Sequence, residues 1–299
     1  MADTPHPAAG TTADDARRWL ATMPASVSGQ RRLLESLICA ARAEPAFRWL
    51  ELGGSLARGA GDELSDIDAG LGIADESWTE GLAAAEAAVR AASPVSDAFR
   101  QRFPGKDGQP AWHLCTLYDS GLQLSLVVMA ASQRAGLPPQ SVALYDLDGR
   151  LARPWTPDSA AADADTMREW ACLGWVALGD LAKYLDRGSA WEARARLEEA
   201  RAQAWQLWAV AVGAVYPAFG LTAVLDVPDV TLPPGLDATA AGPGLAEVRR
   251  AAIALADLLA LVTERGQSVI HFEPPGGLQA WARARLTGTA WPRPDGIAR

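Results

Sequence analysis

The sequence lacks most of what would place it in a membrane, a disulfide scaffold or a nucleic-acid complex. No segment approaches ~18 consecutive uncharged apolar residues, so no membrane-crossing helix is expected. The stretch "MADTPHPAAGTTADD" has neither the basic region nor the apolar run of a secretory leader. Cysteine is scarce: Cys39, Cys115 and Cys172 are odd in number, widely spaced and set among apolar neighbours. That pattern suits buried free thiols in a reducing cytoplasm, and none stands near a second Cys or a His as a zinc site requires. Lysine occurs only at Lys106 and Lys183, and the net charge is -9. A surface that tracks nucleic-acid phosphates needs clustered cations, so no nucleic-acid partner is expected. The acidic balance fits a cationic small substrate, and equally plain solubility. Histidine is limited to His6, His113 and His271, none with a partner at useful spacing. No histidine is therefore assigned to chemistry, and with no histidine between His113 and His271 an intrinsic ribonuclease is not expected.

What is present begins with ordinary globular usage, 49% apolar and 21% charged, in a chain of 299 residues. That length allows two domains of ~100–200 residues. "SGQRRLLESLICAARAE" carries Leu33, Leu34, Leu37, Ile38 and Ala41 at helical spacing behind Ser28 as N-cap. "FRWLEL" and "IDAGLGI" read as strands, and "ESWTEGLAAAEAAVRAA" as a helix closed by Ser93-Pro94. "WHLCTLYDSGLQLSLVVMA" is two apolar runs joined by Asp119-Ser120-Gly121, a hairpin, and "VALYDLDGRL" is a last strand with an Asp-Gly turn. After Pro154 and Pro157 the pattern turns helical, near Asp165–Asp186, near Ala190–Val215 and along the stripe Leu245 to Val262. Pairs Glu192–Arg196 and Arg194–Glu198 are expected to lace the second of these helices. The strand-bearing part reads as an α/β or α+β unit, and the organisation expected is a disordered tail over 1–13, a mixed-sheet domain over 14–157, a helical bundle over 158–287 and a tail over 288–299.

The informative stretch is "LGGSLARGAGDELSDIDAGLGI", Leu52 to Ile73. A Gly-Gly-Ser turn between a strand and a helix aims the unpaired N–H groups of the first helical turn at one spot, where the helix dipole favours an anion. Gly53 and Gly54 let a phosphate approach the backbone, and the Ser55 hydroxyl adds a donor. Asp66 and Asp68, two apart, project on the same side of a strand. Two adjacent carboxylates repel unless a cation lies between them, and Mg²⁺ binds through one or two carboxylates plus phosphate oxygens. Phosphate seat and metal seat together describe a nucleoside triphosphate held for phosphoryl or nucleotidyl transfer. A P-loop would need Lys where Ala60 stands, and an EF-hand would need Glu at Ser77. The spacing is not that of a dinucleotide fingerprint.

These residues resemble the nucleotidyltransferase superfamily with the polymerase-beta-like fold, whose Gly-Ser signature precedes Asp-x-Asp on the next strand. "LAKYLDRGSAWEARARLEEAR" is similar to the helical domain of antibiotic, aminoglycoside-type nucleotidyltransferases. The resemblance implies an N-terminal nucleotidyltransferase domain followed by a C-terminal helical bundle. It implies that Gly54, Ser55 and Arg58 bind the nucleotide and that Asp66 and Asp68 carry Mg²⁺. It also implies attack of an acceptor hydroxyl, on an aminoglycoside-like small molecule, at the α-phosphorus of ATP in the cytoplasm. Lys183 is placed with the nucleotide-binding residues, because in related enzymes a helical-domain Lys neutralises the leaving pyrophosphate.

One part of the pattern is missing. Such enzymes have a third carboxylate on a later strand, as metal ligand or as base. The matching strand "LQLSLVVMA" carries no acid on either face, and Gln123 takes the acidic position. Asp97, Asp119, Glu198 and Glu199 are the substitutes, each equally readable as a solvated or arginine-paired residue. The alternative to an enzyme is thus a degenerate member that keeps the nucleotide seat as a sensor or scaffold. The Trp-rich bundle, with Trp170, Trp175, Trp191, Trp205 and Trp208, reads as core, with a stacking wall for a base or sugar as the other reading.

Overall fold

The computed structural model describes residues 13–104, 110–155 and 161–289. The chain divides into two compact units, Met1–Asp158 and Ser159–Arg299. The terminal tails expected at 1–13 and 288–299 lie almost wholly outside the described residues.

In the first unit, alternation of apolar residues in "FRWLEL" and "IDAGLGI" gives β1 (Phe47–Leu52) and β2 (Ile67–Ile73). β3 (Val95–Pro104), β4 (Pro110–Tyr118), β5 (Gln123–Ala130) and β6 (Val142–Asp146) complete a six-stranded sheet in the order β3-β4-β5-β2-β1-β6. β2 and β5 run parallel and every other neighbouring pair is antiparallel, so the sheet is mixed. The hairpin at Asp119–Gly121 joins β4 to β5, closed by Tyr118 N–H to the Leu122 carbonyl at 2.9 Å. Two helices read in the sequence, α2 (Ser28–Ala43) and α4 (Trp78–Ala92), cover one face. A helix that the sequence did not announce, α1 (Ala13–Ala21), joins them through Ala16, Trp19 and Leu20.

The covered face is apolar throughout: Leu50, Leu52, Ile67, Leu71, Leu114, Leu126, Val128 and Leu144 are all buried in one cluster. Because side chains alternate, residues between them stand on the opposite face. That face carries Trp49 and Glu51 from β1, Asp68, Gly70 and Gly72 from β2, and Gln123, Ser125 and Val127 from β5. A small cluster of Trp49, Ala131, Ala143 and Leu151 closes one end of it.

Two local expectations are corrected. Ser28 is the first residue of α2 rather than its cap, because a 3-10 turn at Ala25–Val27 runs straight into the helix and leaves Val27 in the cap position. The cysteines are free but not buried: Cys39 is exposed and Cys115 and Cys172 are half-buried. On α2 the inner stripe is taken by Leu37, Ile38 and Ala41, and Cys39 falls outside it.

The second unit is helical. α5 (Ala164–Asp186), α6 (Ala190–Ala211), a short α7 (Leu221–Leu225), α8 (Leu245–Gln267) and α9 (Gly276–Thr287) share one core. Asp163 caps α5, accepting from Thr166 N–H at 2.8 Å, and that bond holds its carboxyl below the usual range. Trp170, Trp175, Trp205 and Trp208 are core residues, whereas Trp191 is 84% exposed. The ion pairs on α6 are Arg196–Glu199 and Arg201–Glu198, at i, i+3, in place of the i, i+4 pairs expected. No described helix is long and apolar enough to cross a membrane.

Close packing of β1 on β2 depends on glycine. A Cβ at Gly72 would fall 2.1 Å from the indole of Trp49, which is fully buried. Overpacking of this kind costs about 1–3 kcal/mol. Gly72→Ala is therefore expected to lower the thermal midpoint of the first unit by several degrees in calorimetry. Gly277→Ala, with open space around it, is the control and is expected to leave the trace unchanged or slightly higher.

Candidate functional site

The site grows from the end of β1. Gly53 N–H donates to the Asp68 carbonyl at 2.8 Å, extending the β1–β2 ladder by one bond. Gly54 then takes φ +65, a left-handed conformation that favours glycine, and turns the chain into α3 (Gly54–Ala57). A Cβ there would lie 2.3 Å from Asp68 Oδ2. Gly54 is thus glycine for two reasons: its backbone angle, and the carboxylate pressed against it.

α3 is a single turn of four residues, so little macrodipole stands behind it. What remains is local. The N–H groups of Gly54, Ser55 and Leu56 open the turn and have no carbonyl four residues back within it. Arg58 comes next as the half-buried C-terminal residue of the same turn.

The loop from α3 to β2 is held by a small polar network. Ser55 Oγ donates to Ser65 Oγ at 3.2 Å, Asp62 N–H donates to Ser65 Oγ at 3.0 Å, and Ser65 Oγ donates to Asp62 Oδ1 at 3.0 Å. The Ser65 hydroxyl so uses its one donor and both lone pairs. Behind the loop, the buried Gln30 of α2 donates through Nε2 to the carbonyls of Ser65 at 3.0 Å and Asp62 at 3.2 Å.

Asp66 stands exposed one residue before β2, and Asp68 is half-buried as the second residue of the strand. Parallel pairing sets Ser125 of β5 level with Asp68. Gln123 opens β5 on the same face, exposed, and is opposite Leu117 of β4. On the other side, Glu51 is the β1 partner of Gly70, whose missing side chain makes room: a Cβ would be 2.8 Å from Glu51 Oε1. Glu51 is 6% exposed and is held by Arg134, with Nη2 at 2.5 Å from Oε1. The Arg134 guanidinium also lies 5.9 Å from the Trp49 ring centre. Among the described residues no group of three or more His, Cys, Asp or Glu is arranged to hold a metal ion.

A contact that the sequence did not announce lies beside Ser125. His113 Nε2 is 2.7 Å from Ser125 Oγ, and burial lowers the pKa of the imidazole. Cys115, the β4 partner of Ser125, has its thiol pKa raised by burial. The signal was available in the hairpin. Folding "WHLCTLY" back on "LQLSLVV" about Ser120 sets His113 against Val127 and Cys115 against Ser125, and so puts His113 and Ser125 on one face.

The other residues singled out in the sequence have partners within their own units. Lys183 belongs to α5 in the second unit, where Nζ donates to Asp180 Oδ1 at 2.7 Å and stands 4.7 Å from the Tyr184 ring centre. Asp119 accepts from Ser96 Oγ at 2.6 Å, and Asp97 from Ala98 N–H at 2.8 Å. Glu198 and Glu199 of α6 are engaged by Arg201 and Arg196.

No protein-family model matches the chain, and no curated protein sequence does. Among solved structures, the chain is similar to an aminoglycoside 6-adenyltransferase from Bacillus subtilis. The TM-score is 0.37 and the identity 14%, over 86% of this chain and 97% of that one. A likeness at that level assigns no activity to the chain.

The role of Gln30 is testable. Gln30→Leu keeps the buried volume but strips the loop carbonyls of their donor, a loss of about 1–3 kcal/mol. Faster amide exchange over residues 62–66 is expected, with α2 itself unchanged. Equal exchange in both proteins would show that the loop holds without Gln30.

Proposed function

We propose that the first unit holds a nucleoside triphosphate between the Gly54 turn and Asp68 and transfers its nucleoside monophosphate to a small-molecule hydroxyl. The observation that carries this reading is the fit of the Gly54 backbone against the Asp68 carboxylate, a contact that any side chain at position 54 would abolish. A phosphate on the open N–H groups of Gly54, Ser55 and Leu56 lies beside two acids, which is tolerable only with a cation between.

The donor set fits Mg²⁺: two hard carboxylate oxygens with no soft ligand beside them, on a face where phosphate and water complete the shell. Asp66 and Asp68 would hold the ion, which when bound supplies neutralisation of the triphosphate charge. The chain's own groups do the rest. Backbone N–H donors orient the phosphates, with the Ser55 hydroxyl joining them only by giving up its bond to Ser65; Arg58 adds positive charge at the end of the turn, and Gln123 and Ser125 line the side from which an acceptor approaches. The acceptor oxygen bonds to the α-phosphorus as the bridging oxygen leaves with pyrophosphate. Nucleotidyl transfer comes from the resemblance over Leu52–Ile73, the amino-sugar acceptor from that of "LAKYLDRGSAWEARARLEEAR", and a polycationic acceptor suits a chain of net charge -9.

One observation favours a second reading, a nucleotide-binding member without transfer. The residues beside Asp68 on β5, Gln123 and Ser125, are both neutral. Gln123→Glu separates the two: a rise from no turnover to measurable pyrophosphate release identifies the binder.

Calorimetry with ATP tests the nucleotide seat. Wild type is expected to bind in the presence of Mg²⁺, and both Asp66→Asn and Asp68→Asn to lose at least tenfold in affinity, about 1.4 kcal/mol or more. Binding that ignores Mg²⁺ and both substitutions would remove the metal assignment.

A further inference from the structure

We propose that Ser125 meets the acceptor hydroxyl and relays its proton to His113 Nε2, so that this pair does the work of the missing third carboxylate. The inference rests on the nucleotidyl-transfer reading above and adds the base that the reading lacks.

Three observations converge. The parallel register of β2 and β5 places Ser125 level with Asp68, one strand spacing of about 4.8 Å away and on the same face. Any acceptor oxygen poised over Asp68 is therefore within reach of Ser125. His113 Nε2 lies 2.7 Å from Ser125 Oγ on the far side from Asp68. With the ring proton on Nδ1, Nε2 is an acceptor for the serine proton.

The surroundings suit a neutral base that becomes charged. Facing His113 are Ser125 and Val127 from β5 and Gln101 from β3, none of them charged. On its own strand the nearest titratable group is Cys115, whose raised thiol pKa keeps it protonated at neutral pH. The acids on this face are Asp68, two strands away, with Asp66 just before the same strand, Glu51, tied to Arg134, and Asp97 near the end of β3. Burial keeps the resting imidazole neutral.

The step balances without a redox partner. The acceptor O–H bond breaks, the O–P bond forms, and the bond from the α-phosphorus to the bridging oxygen breaks with its electron pair leaving on pyrophosphate. The acceptor proton passes to Ser125 Oγ as the serine proton passes to His113 Nε2, and solvent later removes it. His113 must be neutral to act. Since its pKa is lowered from 6.5, the rate is expected to hold as pH falls to 6.5 and to drop only below that.

The test has three arms. Calorimetry with Mg²⁺ and a non-hydrolysable ATP analogue on wild type, Asp68→Asn and His113→Gln decides the nucleotide reading. Loss in Asp68→Asn with retention in His113→Gln supports it, shows that His113→Gln is folded, and leaves the base question to the other arms. Equal binding in all three fails the transfer reading and takes this inference with it. Nitrogen NMR of the imidazoles, with the His113 signals identified by their absence in His113→Gln, reads the tautomer. A proton on Nδ1 is expected; a proton on Nε2 overturns the relay even where nucleotide binding stands. Pyrophosphate release from MgATP, with kanamycin or water as acceptor, reads the kinetics. His113→Gln is expected to lose about 10²–10⁴-fold in kcat with the KM for ATP unchanged, and with the acid limb gone from the pH profile. In His113→Ala, added imidazole is expected to restore part of the rate. An acid limb that survives in His113→Gln overturns the proposal.

Discussion

One-sided burial of the sheet fixes where every polar residue of the site can stand. α1, α2 and α4 cover only the face formed by Leu50, Leu52, Ile67, Leu71, Leu126 and Val128. Each such side chain contributes roughly 1.5–3 kcal/mol on burial. Slipping β2 by one residue would turn this set outward and carry Asp68 into the core. The carboxylate is therefore on the open face because Ile67 and Ala69 must be inside. The same reasoning, applied along β5 and β4, puts Gln123, Ser125 and His113 on that face without any interaction among them being needed to hold them there.

Glycines then decide how much of the open face remains open. Trp49 and Glu51 lie across Gly72 and Gly70, filling the space a side chain would take. Arg134 neutralises Glu51 and stacks toward Trp49, so this end of the face is closed by a buried ion pair and an indole. Breaking such a pair costs about 3–5 kcal/mol, because one charge is left behind in a dry place. Glu51 is thus a structural acid. The exposed and half-buried acids beside the glycine turn are Asp66 and Asp68.

The strongly periodic elements were legible: β1, β2, the β4–β5 hairpin, α2, α4, α5, α6 and α8 all obey apolar spacing. The turn "GGS" and the pair Asp66 and Asp68 were legible too, as residue types in a pattern. What escaped has physical reasons. β3 is an edge strand whose Arg100, Gln101 and Arg102 are all exposed, so no apolar alternation signals it. α9 opens on Gly276-Gly277 after two prolines, a sequence that reads as loop, and only packing of Ala282 and Leu286 into the bundle core fixes it. The His113–Ser125 contact follows from folding the hairpin about Ser120, a step that spacing along either strand alone does not display.

Register also bears on the charge of the site. A third carboxylate on β5 would stand one strand from Asp68 and add like-charge repulsion whenever no cation is bound. Ser125 and a neutral His113 avoid that repulsion; were Mg²⁺ held by the two aspartates, phosphate oxygens and water would supply the rest of its shell. Under the transfer reading, metal and nucleotide then bind as one unit, and the base carries charge only after it has taken the acceptor's proton. Under the same reading, two aspartates with a neutral relay would move electrostatic cost from the resting protein to the moment of transfer, where three acids would carry it at rest.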